Sequence, residues 1–119
     1  MMKKILLVDN DAFSRMLIKT VAVSADTDFI ECENGREALK AFNRNTISVV
    51  FLNTRLPDVN GRELLRLFKE KRPDIPIIGL SAEDPFNFDS CYQDVSFDCF
   101  FGIPFELSKF QEQVRIFCN

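Results

Sequence analysis

The strongest constraint on the fold is an alternation of short apolar runs with longer segments in which apolar residues recur at helical spacing. The short runs fall at residues 5–8, 29–32, 47–52, 75–80 and 99–103. Alternating strands and helices are the sequence mark of βαβ units on a parallel sheet. We therefore predict five strands and five helices. The fourth helix, over residues 83–98, is predicted to be short or irregular because that segment contains many poor helix formers.

Length and composition narrow the class of protein. The 119 residues have room for a single domain, which we place at 1–119. The apolar runs are too short to cross a bilayer and no signal peptide is evident, so we expect a cytoplasmic protein without membrane contact. A net charge of -3 argues against direct nucleic-acid binding. With no histidine and no C-x-x-C pair, we interpret the cysteines as packing residues; they are Cys32, Cys91, Cys99 and Cys118.

The first helix has the clearest local signals. Asp11 is a plausible N-cap for it. We expect the apolar side chains to face the sheet and the polar ones to face water. The first set is Phe13, Met16, Leu17 and Val21, and the second is Ser14, Arg15 and Lys19. The second strand contains Glu31 among apolar residues, which is typical of an edge strand.

Polar residues cluster where the predicted strands end. Asp9, Asn10 and Asp11 follow the first strand, Asn53 follows the third and Ser81 follows the fourth. The fifth strand ends at Ile103, just before a proline. Ligand sites of open parallel sheets lie beyond the carboxyl ends of the strands, so we expect these residues to share one edge of the sheet.

Five stretches, in order along the chain, resemble the response-regulator receiver family. They are ILLVDND, ECENGREAL, FLNTRLPDVNGRELL, IPIIGLSAE and FFGIPFEL. The resemblance runs from residue 4 to residue 117. It implies an α/β, flavodoxin-like, three-layer (βα)5 fold whose five-stranded parallel sheet has the order 2-1-3-4-5. It also implies a switch in a two-component phosphorelay rather than an enzyme.

In that family an acidic pair after the first strand holds Mg²⁺, and an aspartate ending the third strand accepts phosphate from a histidine kinase. A serine or threonine after the fourth strand and a lysine before the proline then contact the phosphoryl group. Asp9 and Ser81 match this pattern, whereas three other positions differ. The second acid, the phosphoacceptor and the lysine are replaced by Asn10, Asn53 and Ile103.

These replacements predict a degenerate phosphorylation pocket. An amide cannot form the acyl phosphate that a carboxylate forms, so Asn53 cannot accept phosphate in the same way. Asp9 is the one metal-binding acid retained, so we expect no cofactor and a weak or lost Mg²⁺ site. The chain would then be a pseudo-receiver that signals through protein–protein interaction without phosphorylation.

The sequence allows several alternatives. Asp9 or Asp11 could serve as a substitute phosphoacceptor, or either could simply cap the first helix. Ser81 could be a switch residue or a helix cap, and Phe100 could be the family's switch aromatic or a core residue. A flavodoxin-like enzyme or cofactor binder is disfavoured because residues 9–13 contain no glycine.

Phenylalanine and net charge concentrate near the end of the chain. Eight of the 13 phenylalanines lie after residue 85, and that stretch has five acids and two bases, which account for the whole net charge. Aromatic residues rimmed by acids suggest a partner surface, and a Phe-rich core is the alternative. We expect a protein partner or a second copy on the face of the fourth helix, fifth strand and fifth helix. A histidine kinase or an output domain is a candidate partner, and the face would contain Phe86, Phe88, Phe97 and Phe101.

Overall fold

A computed structural model of the chain describes residues 2–81, 97–102 and 106–118. These residues form five strands and four helices. In chain order they are β1 (Lys3–Val8), α1 (Ala12–Ala22), β2 (Thr27–Cys32), α2 (Gly35–Arg44), β3 (Val49–Asn53), α3 (Gly61–Lys71), β4 (Ile77–Ser81), β5 (Cys99–Gly102) and α4 (Leu107–Cys118). The helix predicted over residues 83–98 lies almost wholly outside the described residues, so α4 corresponds to the predicted fifth helix.

All strands pair in parallel, in the order β2-β1-β3-β4-β5. The predicted flavodoxin-like α/β fold is therefore confirmed, as is the edge position of the second strand. The third and fourth strands begin two residues later than predicted, at Val49 and Ile77.

Alternation along β1 divides the core into two layers. Leu6 and Val8 belong to the cluster under α2 and α3, where the rings of Phe42 and Phe68 stack with their centroids 4.3 Å apart. Ile5 and Leu7 belong to the cluster under α1 and α4. Because successive side chains of a strand point to opposite faces, an unbroken apolar strand supplies both layers.

The orientation predicted for α1 is wrong for Phe13, Met16 and Arg15, whereas Val21 packs against the core as predicted. Phe13 and Met16 are 66% and 53% exposed, whereas Arg15 is buried together with Ile18 and Ala22. Both sides of this helix are apolar, so apolar spacing alone could not identify the inner one. Arg15 is buried because its guanidinium has carboxylate partners, which offset the cost of removing its charge from water.

The start of β5 packs on the sheet through aromatic side chains. A Cβ added at Gly79 of β4 would come within 2.8 Å of the Phe100 ring and 2.9 Å of the Phe97 ring. Both rings are partly buried against the α2–α3 cluster, and Phe101 is partly buried against the other. Of the proposed partner surface, Phe97 and Phe101 thus have packing contacts, and Phe86 and Phe88 lie outside the described residues.

Among the described residues, no helix is both long enough and apolar enough to cross a membrane. Cys32, Cys99 and Cys118 form no disulfide, and Cys91 lies outside the described part of the chain. Burial raises the pKa of Cys32 and Cys118 to about 11, which agrees with a packing role.

Candidate functional site

The strand register brings three of the predicted site residues to one edge of the sheet. Val8 pairs with Leu52 and Asn53 pairs with Leu80, so Asp9 follows β1 at the level of Asn53, and Ser81 lies one residue further along β4. Asp9 and Ser81 are each 1% exposed, and Asn53 is partly buried. This edge is the carboxyl end of the sheet, as predicted.

Asp9 is a buried carboxylate that is only partly satisfied. Its Oδ1 accepts a hydrogen bond from the backbone N–H of Asp11 at 2.9 Å, whereas its Oδ2 is buried without a hydrogen-bond partner. Burial raises the pKa of this carboxyl group, and the Asp11 amide and the nearby side-chain amide of Asn53 oppose the shift. The negative charge of the Asp9 carboxylate is therefore stabilised incompletely by the groups around it.

Asn53 makes a local turn contact at the end of β3. Its Oδ1 accepts a hydrogen bond from the backbone N–H of Arg55 at 2.8 Å. The neighbouring residue Thr54 bonds to β4 through its own N–H, which donates to the Leu80 carbonyl at 3.1 Å. The oxygen atom of the Asn53 amide is thus already engaged in shaping the loop that follows β3.

That loop is anchored to a helix that is distant in sequence. Asp58 accepts hydrogen bonds from the backbone N–H groups of Gly35 and Arg36, at 2.9 and 3.0 Å, at the start of α2. The Gly35 bond is the main cause that lowers the pKa of Asp58. At its other end the loop closes tightly, since a Cβ at Gly61 would lie 2.5 Å from the Thr54 Cα. Asp58 and Gly61 thus hold the loop beside Asn53.

The other predicted site residues that the structure describes do not join Asp9, Asn53 and Ser81 in the buried part of this edge. Asp11 is the N-cap of α1, and its carboxylate accepts hydrogen bonds from the Phe13 N–H and the Ser14 hydroxyl, both at 3.0 Å. Asn10 is exposed. Phe100 packs on Gly79, away from the strand ends. Ile103 lies outside the described residues, as does the segment that Ser81 would cap.

Arg15, which the apolar pattern of α1 predicted to face water, also contributes to this edge. Its guanidinium donates a hydrogen bond to the Asp9 carbonyl and forms ion pairs with Glu31 at 3.0 Å and Glu33 at 3.6 Å. It thereby ties α1 to the end of β1 and to β2. A signal for this was available, because Arg15, Ile18 and Ala22 share a helical face and β2 contains an acid.

The receiver family implies a Mg²⁺ ion here, and the donors present fit one poorly. Mg²⁺ favours near-octahedral sets of hard, usually anionic, oxygen atoms. Asp9 offers one carboxylate oxygen without a partner, and the Asn53 oxygen already accepts a hydrogen bond. Within residues 2–81, 97–102 and 106–118, no group of three His, Cys, Asp or Glu side chains is arranged to hold a metal ion.

Comparison with known proteins agrees with this geometry. The sequence model of the response regulator receiver domain matches residues 5–115. Over 82 residues the chain is 34% identical to the chemotaxis protein CheY of Listeria monocytogenes, covering 68% of this chain and 69% of that protein. Over 103 residues it is 29% identical to the DNA-binding transcriptional regulator NtrC of Escherichia coli, covering 86% of this chain and 22% of NtrC.

A solved structure extends the likeness to nearly the whole chain. The response regulator TrrA from Thermotoga maritima, in complex with Mg²⁺-BeF, superposes with a TM-score of 0.82 and 28% identity, covering 98% of this chain and 99% of TrrA. Among the curated relatives, the matched part spans 22% of NtrC and 17% of the regulatory protein LuxO from Vibrio cholerae. Family model, fold and strand-end geometry agree, and the chain belongs to the response regulator receiver domain family.

Proposed function

We propose that this receiver domain acts in two-component signalling without accepting phosphate at residue 53. The observation that supports this most directly is the side chain at the end of β3, where a neutral amide lies beside the buried carboxylate of Asp9. A carboxamide is a poor nucleophile and cannot give an acyl phosphate that would transfer or hydrolyse in the usual way. The domain is then a binding module and not a catalyst.

The proposal extends to the metal. Asp9 is the one acid retained from the family's metal pair, and Asn10 supplies at most a neutral amide oxygen. Loss of anionic donors weakens Mg²⁺ binding. Ile103, at the position where the family has a lysine, also fits a pocket that binds neither phosphate nor metal. A lysine near a pocket with few carboxylates would be a poorly compensated charge.

A second candidate is phosphorylation at Asp9 or Asp11. The unpartnered Oδ2 of Asp9 favours it, since that oxygen has lone pairs available. Against it, Asp9 is 1% exposed, and the two carboxylate oxygens of Asp11 accept hydrogen bonds within α1. We therefore rank the phosphate-free function above this alternative.

Receiver domains of this family interact with kinases and output domains. For this chain we propose a protein partner, such as a histidine kinase or an output domain, on the face formed by the segment after β4, by β5 and by α4. Phe97 and Phe101 are half-buried, and the other two aromatic residues proposed for this face, Phe86 and Phe88, lie outside the described residues. Asp98 forms an ion pair with Lys69 at 2.8 Å, so its negative charge is partly neutralised within the domain.

A restoration series tests the proposal. Asn53→Asp alone should restore little labelling by acetyl phosphate with Mg²⁺, because the second acid and the lysine are still missing. The triple variant with Asn10→Asp, Asn53→Asp and Ile103→Lys should be labelled strongly, and intact-mass spectrometry would report both. A matched variant with Asn10→Asp and Ile103→Lys that keeps Asn53 should remain unlabelled. Strong labelling of Asn53→Asp alone would mean that the pocket is less degraded than we propose.

A further inference from the structure

The exposed face of α1 has an unusual composition for a surface helix. Apart from Ala12, its exposed positions are Phe13, Met16, Thr20 and Val23, the last being the C-cap. These residues follow one another at intervals of three, four and three, which places them in one stripe on the side opposite Ile18 and Ala22. By contrast, every exposed residue of α2 is polar or charged.

The neighbouring charges on α1 are neutralised within the domain. Arg15 is ion-paired with Glu31 and Glu33, and Lys19 is ion-paired with Glu31 at 3.0 Å. The Thr20 hydroxyl donates to the Met16 carbonyl at 2.9 Å, so it does not need water as a partner. The stripe therefore has an apolar surface that could be covered without leaving a charge or a polar group unsatisfied.

One end of the stripe adjoins a groove between α1 and α4. The groove has a volume of about 360 Å³ and is lined by residues of both helices, among them Val23 at the end of α1 and Val114 and Arg115 on α4. Phe13, the bulkiest residue of the stripe, lies at the other end and is 66% exposed. Val23 follows Phe13 by ten positions, which corresponds to about 15 Å along the helix.

We propose that a second copy of this chain docks on this face, with the two α1 helices antiparallel about a two-fold axis. In that arrangement Phe13 of each copy lies at Val23 and the groove of the other, and Met16 lies opposite Thr20. A protruding residue at one end and a groove at the other are the self-complementary pair that an isologous contact requires. The charges also match, because exposed Asp11, next to Phe13, would approach exposed Arg115, which lines the partner's groove.

The area indicates a weak dimer. From the exposed fractions of Phe13, Met16 and Val23, the apolar stripe amounts to roughly 300 Å². A standard stable interface buries about 800 Å² per partner, so even with the groove the contact is at the transient end of the range. The inference does not depend on whether residue 53 accepts phosphate. The contact centres on α1, and α4 is the one element that it shares with the face proposed for the signalling partner.

Sedimentation of the purified chain over about 10 μM to 1 mM tests the proposal. We expect the average mass to rise towards that of a dimer with increasing concentration. Phe13→Ser and Val23→Ser should each weaken association by about tenfold or more without lowering the Tm, because both side chains are exposed. Ile116→Ser is the matched control: Ile116 is 60% exposed on α4 but lies outside the stripe, and this change should have no effect.

A charge-reversal pair tests the orientation. Arg115→Glu should weaken association because it would confront Asp11 of the other copy, whereas Lys109→Glu alters the net charge equally at an exposed site that does not line the groove. A monomer throughout the concentration range would overturn the proposal. Equal effects of Ile116→Ser and Val23→Ser, or of Lys109→Glu and Arg115→Glu, would overturn it as well.

Discussion

At the scale of single residues, Asp9 is the buried carboxylate of the site whose environment stabilises its charge incompletely. Its charge is removed from water and one of its oxygens has no hydrogen-bond partner. A carboxyl group whose pKa is higher in the folded than in the unfolded state makes the protein less stable as pH rises through that interval. Asp9 therefore costs stability at neutral pH, which is common for residues kept at a functional site.

Replacing Asp9 should accordingly stabilise the domain. We expect Asp9→Asn to raise the Tm by a few degrees at pH 7, because the variant has no buried charge at this position. The gain should shrink as the pH falls through the raised pKa of Asp9 towards the ordinary carboxyl value of 3.8, because folded wild-type Asp9 becomes protonated in that interval. Thermal denaturation across this pH range measures both effects. Exposed Asp28→Asn is the control, and a loss of stability in Asp9→Asn at pH 7 would contradict this account.

At the scale of elements, the contact between β4 and β5 shows how close packing restricts a strand residue. Gly79 lies in the buried strand β4, and the rings of Phe97 and Phe100 occupy the space where a side chain would begin. The two rings also contact each other, with centroids 5.4 Å apart. Because Gly79 has no side chain, these two rings can pack against the edge of the α2–α3 cluster.

This packing predicts a specific sensitivity to added volume. Gly79→Ala should destabilise the domain by about 1–3 kcal/mol, the usual cost of overpacking a well-filled core. Gly102→Ala is the matched control in β5, where the nearest atom to the added Cβ would be the Ser81 carbonyl oxygen at 4.0 Å. Urea denaturation compares the two variants. If Phe97→Ala does not reduce the cost of Gly79→Ala in a double-mutant cycle, the proposed clash with Phe97 is wrong.

At the scale of the whole molecule, apolar alternation predicted a parallel α/β sheet, and strand-end residues predicted the edge that holds Asp9, Asn53 and Ser81. The order of the strands came from the resemblance to receiver domains, and the sheet has that order. The same patterns could not orient α1, because that choice depends on the tertiary ion pairs of Arg15. They also could not predict that the Phe97 ring packs on Gly79. Periodicity reports a local preference, whereas these features depend on partners distant in sequence.

We propose, above all, that this receiver domain does not become phosphorylated. Intact-mass spectrometry of the wild-type chain after incubation with acetyl phosphate and Mg²⁺ tests it most directly. We predict an unchanged mass, because Asn53 is not a nucleophile and the donors around Asp9 fit Mg²⁺ poorly. A receiver domain with an intact acidic pocket, treated in parallel, should gain one phosphoryl group. The same gain in this chain, mapped to Asp9 or Asp11, would contradict the claim.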